Sequence, residues 1–237
     1  MSSTNQFYIE KYKDVDEILK TYYQIKDNKT LINIDGVINP IKIDNRNIAS
    51  VTDNQGSTPH CSGYSVANMF EMIYWKRTGK LINLNADQIY AHAKLADGKP
   101  DSDGVHLNYA MAAAANLCGI VNDVKIQLQY NNKSEQILEI IKFLIHKFDV
   151  IQAGFRITTG WNSVTKNDFT IKHTNISLGS HAVLIVGYDP IGVYIQNSWG
   201  KEWGFKGFAI LPWDRVLADL IYFCYISNLY ELKFENI

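Results

Sequence analysis

Cysteine is scarce in this sequence, net charge is almost absent, and no long apolar run occurs. The three cysteines, at 61, 118 and 224, form no Cys-x-x-Cys pair. So small and odd a set argues against a disulfide framework or a structural zinc site, and makes a reducing compartment the natural setting. The 23 Lys and Arg nearly balance the 24 Asp and Glu, for a formal charge of −1. That balance gives no electrostatic footprint for nucleic acid or for an anionic membrane surface. No apolar run approaches the roughly 18 residues that a membrane-spanning helix needs. The opening "MSSTNQFYIEKYKDVDEILK" is polar and lacks the apolar core of a secretory signal, so the expected location is intracellular, with delivery to a host cell or packaging in a virion left open. Internal repeats, low-complexity tracts and charged arms are missing too, which leaves little support for a scaffolding role.

What is present is a 237-residue chain, 46% hydrophobic, enough for one substantial domain or two small lobes around a shared cleft. Residues 14–28 space Val15, Ile18, Leu19 and Tyr22 at helical intervals and predict a short amphipathic helix. From Cys61 to Arg77, Val66, Met69, Phe70, Ile73 and Tyr74 recur at three- and four-residue steps before Gly79, predicting a buried helix. Asn85 with Gln88 reads as a capping box opening a helix over 85–96. Further helices are predicted over the Ala-rich 104–119 and over 134–148, the latter with apolar positions 137, 138, 141, 144, 145 and 148. After residue 150 the period falls towards two, and strands are predicted at 150–157, 181–189, 193–199, 207–212 and 222–227, with a polar connection over 158–180. Helices in the first half and strands in the second predict an α+β fold with two lobes.

Cys61 stands at the head of the 61–77 helix, where unpartnered N–H groups and the positive end of the macrodipole favour thiolate. A small buried apolar residue is the competing reading. Of the six histidines, His60 is a poor partner because consecutive residues at a helix start point apart. His92, His106, His146 and His173 lie in polar or helical settings and read as surface or cap residues. His181 opens the apolar segment "HAVLIVGYD" and is either the base for Cys61 or a satisfied strand-edge residue. A base needs an orienting partner on its second nitrogen. Asn197 lies on the next strand of an apparent hairpin, followed by the Trp- and Gly-rich "SWGKEWGFKGF". Those indoles either cover a His–Asn hydrogen bond or simply pack the core.

Taken together, these segments resemble the papain-like (C1) cysteine peptidases. "NQGSTPHCSGYS" is similar to the active-site segment of that family, with Gln55 six residues before Cys61. "GSHAVLIVGYD" is similar to its histidine strand, and "VYIQNSWGKEWGFKGFAIL" to its Asn-Ser-Trp-Gly block. "LNADQIY", "DSDGVHLNYAMAAAANLCGI" and "LPWDRVLADLIYFCYI" extend the likeness over roughly 50–227, with the ending closest to bacterial and viral members that lack the usual disulfides. His and Asn lie about 130–150 residues downstream of the nucleophile in the family; here they follow at 120 and 136, compatible with shorter loops.

The resemblance implies the papain-like fold: a helical lobe over about 50–149 with the nucleophile, and a β-rich, barrel-like lobe over about 150–237, preceded by a 1–49 extension. It implies catalytic Cys61, His181 and Asn197, an oxyanion hole using Gln55, shielding of the dyad by Trp199 and Trp203, and cleft positions at Asp103, Gly104 and Ser180. The substrate would be a polypeptide, the enzyme a monomer, and neither metal nor organic cofactor would be needed. A thiol acyltransferase or deamidase on the same dyad, or a silent peptide-binding homologue, are the alternatives. Five positions depart from the pattern. Ser62 replaces a Trp, Thr58 a disulfide cysteine, Pro59-His60 a Gly-Ser pair, and Asp103 the first glycine of a Gly-Gly pair. These alter the cleft entrance and leave every reacting group in place. The 14–28 helix is expected to dock near the cleft through Ile18, Leu19 and Tyr22 as a built-in restraint.

Overall fold

A computed structural model describes the backbone of residues 23–28, and residues 32–49, 52–99, 102–120 and 124–234 in full. Five α-helices and eight strands follow one another in this described chain.

Helix α1 (Cys61–Thr78) is buried on nearly every side over its first fourteen residues, so it is a central helix rather than a one-faced one. It stops where Gly79 adopts φ 70° and returns its N–H to Trp75 O at 2.8 Å, a left-handed cap that glycine accepts without strain. Lys76 and Arg77 complement the C-terminal end of the dipole. Helix α2 (Ala86–Asp97) opens on Asn85, whose Oδ1 accepts the Gln88 N–H at 3.0 Å. α1 and α2 approach closely at Gly63: a Cβ there would lie 2.5 Å from Ala86 O. Helix α3 (Leu107–Leu117) presents a run of buried alanines, and their small size lets it nest against both α1 and α2.

The rest is a single sheet. Its strands are β1 (Tyr23–Asn28), β2 (Ile43–Asp44), β3 (Val124–Tyr130), β4 (Ile151–Thr158), β5 (Ser177–Tyr188), β6 (Gly192–Gln196), β7 (Phe208–Pro212) and β8 (Leu220–Ile226). The order is β1-β3-β8-β4-β5-β6-β7, with β2 also on β5. Every pairing is antiparallel except β1 with β3, which is parallel from Tyr23↔Val124 to Asn28↔Gln129. Helix α4 (Gln136–Phe148) lays Ile137, Ile140, Ile141, Leu144, Ile145 and Phe148 on β4, β5 and the short α5 (Trp213–Asp219). No helix of the described residues is long and apolar enough to cross a membrane.

The structure differs from the sequence reading at several points. Residues 23–28, expected at the end of an amphipathic helix, form a strand because they find a partner in β3; residues 14–22 of that helix lie outside the described residues. β3 and α4 precede residue 149 yet join the sheet, so a lobe boundary at about 149 does not match the packing. Within the expected 1–49 extension, β2 pairs with β5, the Tyr188 hydroxyl donates to Pro40 O, and Asn45 Nδ2 donates to Asp149 O. On α4, Ile140 is buried and Leu138 only half so, the reverse of the expected stripe. β5 begins at Ser177, four residues before His181, and its burial changes sharply: Ser177–Ser180 are exposed, whereas His181–Tyr188 are buried.

Candidate active site

His181 stands where β5 passes from solvent into the core, in register with Phe155 of β4. The hairpin turn at Asp189, whose Oδ1 accepts the Ile191 and Gly192 N–H groups, brings β6 back alongside β5. Asn197 follows β6 directly, anchored by its N–H to Gly207 O. The result is a 2.7 Å hydrogen bond between His181 Nε2 and Asn197 Oδ1, both residues buried. The Ser198 N–H donates to the same Oδ1 at 2.8 Å. Because that atom must be the carbonyl oxygen, it is Nε2 that carries the proton and Nδ1 that keeps a lone pair.

Cys61 is the first residue of α1 and shares with His181 a cavity of about 120 Å³. Ala182, the residue that follows His181, lines the same cavity as Cys61. Ser62, Gly104, Val105, Leu107, Gly154, Ser180, Ile221 and Tyr222 complete the wall of that cavity. Gly104 and Ser180 both line this cavity, while Asp103 is exposed and outside the lining. The Tyr222 hydroxyl is fixed by the Leu107 N–H at 3.3 Å, and its ring lies beside Gly154.

Burial sets the titration of both groups. It raises the Cys61 thiol above its ordinary value, against the lowering effect of backbone hydrogen bonds. It lowers His181 to about 4, against the raising effect of Asn197. The helix terminus thus does favour thiolate as expected, but desolvation outweighs it. Burial by itself favours a neutral thiol beside a neutral imidazole, and an ion pair arises only by proton transfer within the pair, where each charge answers the other.

Gln55 is buried, and its loop is tied to the Asn197–Ser198 segment: its N–H donates to Ser198 O at 2.9 Å, and Ser198 Oγ donates to its Oε1 at 2.5 Å. Its Nε2 donates to Thr58 O at 2.7 Å, and the amide has a second N–H to give. Trp199 lies 4.8 Å from the His181 ring, centroid to centroid. Trp203 packs one layer further out, against Trp199 and Trp161, with its Nε1–H on Trp161 O at 2.8 Å. Trp161, buried in the connection read as polar, meets the His181 ring edge-on at 6.2 Å. A lone Trp among polar residues was the available signal for it. His60 donates Nδ1–H to Asp87 and stacks on Tyr90 at 3.9 Å. His92, expected at a surface or cap, is buried in α2. Among the described residues no group of three or more His, Cys, Asp or Glu is clustered to hold a metal ion.

No family model matches the sequence. Among curated proteins it is 25% identical over 199 residues to cysteine proteinase 2 of Zea mays, covering 73% of this chain and 52% of that protein. It is 23% identical over 210 residues to oryzain gamma chain of Oryza sativa subsp. japonica, covering 78% and 55%. The chain spans about half the length of these relatives. Among solved structures, xylellain, a cysteine protease from Xylella fastidiosa, superposes with a TM-score of 0.65 at 16% identity, over 87% of this chain and 96% of that one. The chain is similar in sequence to cysteine proteinases and has the papain-like fold. Digestive procathepsin L 3 of the Tenebrio molitor larval midgut (TM-score 0.66, 15% identity, 90% and 79% covered) and the proform of the ragweed pollen cysteine protease Amb a 11 (0.64, 19%, 90% and 73%) share this papain-like architecture. The α+β, two-lobed papain-like fold expected from the sequence is thus the observed one.

Proposed function

We propose that the chain is a cysteine endopeptidase acting through Cys61, His181 and Asn197. The observation that carries this reading is the His181–Asn197 hydrogen bond at one wall of a cavity whose other wall holds the Cys61 thiol. With Nε2–H committed to Asn197, the Nδ1 lone pair takes the thiol proton as sulfur attacks the peptide carbonyl carbon. The carbonyl oxygen becomes an oxyanion and accepts from the Cys61 backbone N–H and the second N–H of Gln55; losing one such donor costs about 100- to 1000-fold in kcat. His181 then gives the proton to the leaving amine. A water, deprotonated by the same nitrogen, attacks the thioester and returns the free thiol and a carboxylate product. Trp161 and Trp199 keep bulk water from the His181–Asn197 bond. The substrate is a polypeptide, and a monomer suffices, because every group named here comes from one chain.

The test is digestion of a peptide library by the wild type and Cys61→Ala in parallel, read by mass spectrometry. New termini formed by hydrolysis in the wild type alone support the reading. Amine adducts in place of hydrolysis, or loss of side-chain amides without backbone cleavage, would replace it with acyl transfer or deamidation.

A further inference from the structure

Helix α2 presents Asp87, Tyr90, Lys94 and Asp97 at steps of three, four and three residues, which puts them on one face. Each touches something near the cleft. Asp87 holds His60, the residue before Cys61. Tyr90 stacks on His60. Lys94 is buried and donates from Nζ to Ser102 O at 2.8 Å, Ser102 Oγ at 2.9 Å and Gly104 O at 3.1 Å. Asp97, with a nearly inaccessible side chain, supplies the counter-charge 3.6 Å from Nζ. Gly104 is thus held from behind through its carbonyl, in a left-handed conformation with φ 73°. It is also a wall of the cavity that holds Cys61 and His181.

We propose that Lys94, with Asp97 as its counter-charge, is a positioning residue that braces Gly104 as a cleft wall, and so sets affinity for extended peptides rather than the chemistry at Cys61. A buried ammonium with three oxygen acceptors and a carboxylate makes a stiff brace, since a peptide that displaced Ser102 or Gly104 would strip partners from a charge with no water to replace them. The Gly104 carbonyl keeps its second lone pair for a substrate N–H. This inference rests on the peptidase reading above for its kinetic part and on structure alone for the rest.

The experiment uses the full chain in reductant, with two variants. Ser102→Ala removes one acceptor of the Lys94 ammonium and leaves both charges in place. Lys94→Met combined with Asp97→Asn removes both charges together, so that neither is left buried alone. Each is assayed on a four-residue peptidyl ester and on a one-residue ester with the same leaving group, and exchange of the Gly104 amide is followed by NMR. The expected result is a KM for the four-residue substrate raised about tenfold, the effect of losing one good hydrogen bond. The kcat and the one-residue kinetics stay unchanged, and Gly104 exchanges faster. Equal losses on both substrates, or an unchanged KM with unchanged exchange, would overturn the brace. A wild type that cleaves no peptide would sink the peptidase reading. Gly104 exchange still decides the brace in that case: acceleration in the Lys94→Met, Asp97→Asn variant supports it, and no change rejects it.

Discussion

At the scale of the residue, His181 is the group whose surroundings do most. Its folded value near 4 lies below the ordinary histidine value of 6.5 because the ring is desolvated. Between those two values the unfolded chain binds a proton that the folded chain does not, so stability rises with pH across that window. The contribution is fully present above about 6.5, fades as pH falls, and is lost by about 4, for a total of roughly 3 kcal/mol. Urea unfolding across this range should show that slope in the wild type and a flatter one in His181→Gln. A slope of opposite sign would show that the resting imidazole is charged, as in a preformed ion pair. Cys61 stands apart from the other thiols in access: it is half-buried at the cleft, whereas Cys118 and Cys224 are buried in the core. Iodoacetamide should therefore label Cys61 first, and labelling should abolish turnover. Asn197→Ala should cost less than His181→Ala, because it loosens the orientation of the base without removing it.

Cys61, His181 and Asn197 were legible one at a time, since a helix start, a strand entry and a Trp-Gly-rich run are local signals. Trp161 and Ser198 were not. Their roles depend on which distant segments meet: Trp161 reaches His181 only through the sheet and the turn after β4, and Ser198 meets Gln55 across 143 positions.

At the scale of the element, the two close approaches that position the site invite direct tests. Gly63 lies where α1 meets α2, and a methyl group there runs into the Ala86 carbonyl. Gly63→Ala should cost about 1–3 kcal/mol in urea unfolding through overpacking. A neutral result would mean that α2 shifts freely, and with it the wall at Gly104. β1 lies at the end of the sheet, separated from β5 by β3, β8 and β4. Deleting residues 1–28 should therefore lower the melting temperature and bare the edge of β3 to self-association, with kcat/KM on a short peptide unchanged. A rise in kcat/KM would favour the cleft-side restraint expected of Ile18, Leu19 and Tyr22, which lie outside the described residues. The elements most visible beforehand were the long helices and the strands after residue 150, where one period dominates. β3 carries an alternating buried and exposed pattern but sits between helices, and the pairing of β1 with it spans about a hundred residues that no local signal bridges. Helix α5 is seven residues long and follows Pro212, too short for a periodicity to emerge.

At the scale of the whole molecule, the sheet and the α1–α3 cluster each contribute one wall, and the proposed reaction needs both at once. Cys61, Cys118 and Cys224 are all free, so mild reductant should raise activity by keeping Cys61 as a thiol and leave the melting temperature where it is. A fall in melting temperature on reduction would reveal a bridge. The most direct test of Cys61 as the nucleophile is mass spectrometry of the intact protein, rapidly acid-quenched during turnover of a peptidyl ester, in wild type and Cys61→Ala. The wild type should carry the mass of one acyl group on Cys61, lost as the carboxylic acid appears, and Cys61→Ala should carry none. An acyl group on another residue, or turnover that survives in Cys61→Ala, would contradict it.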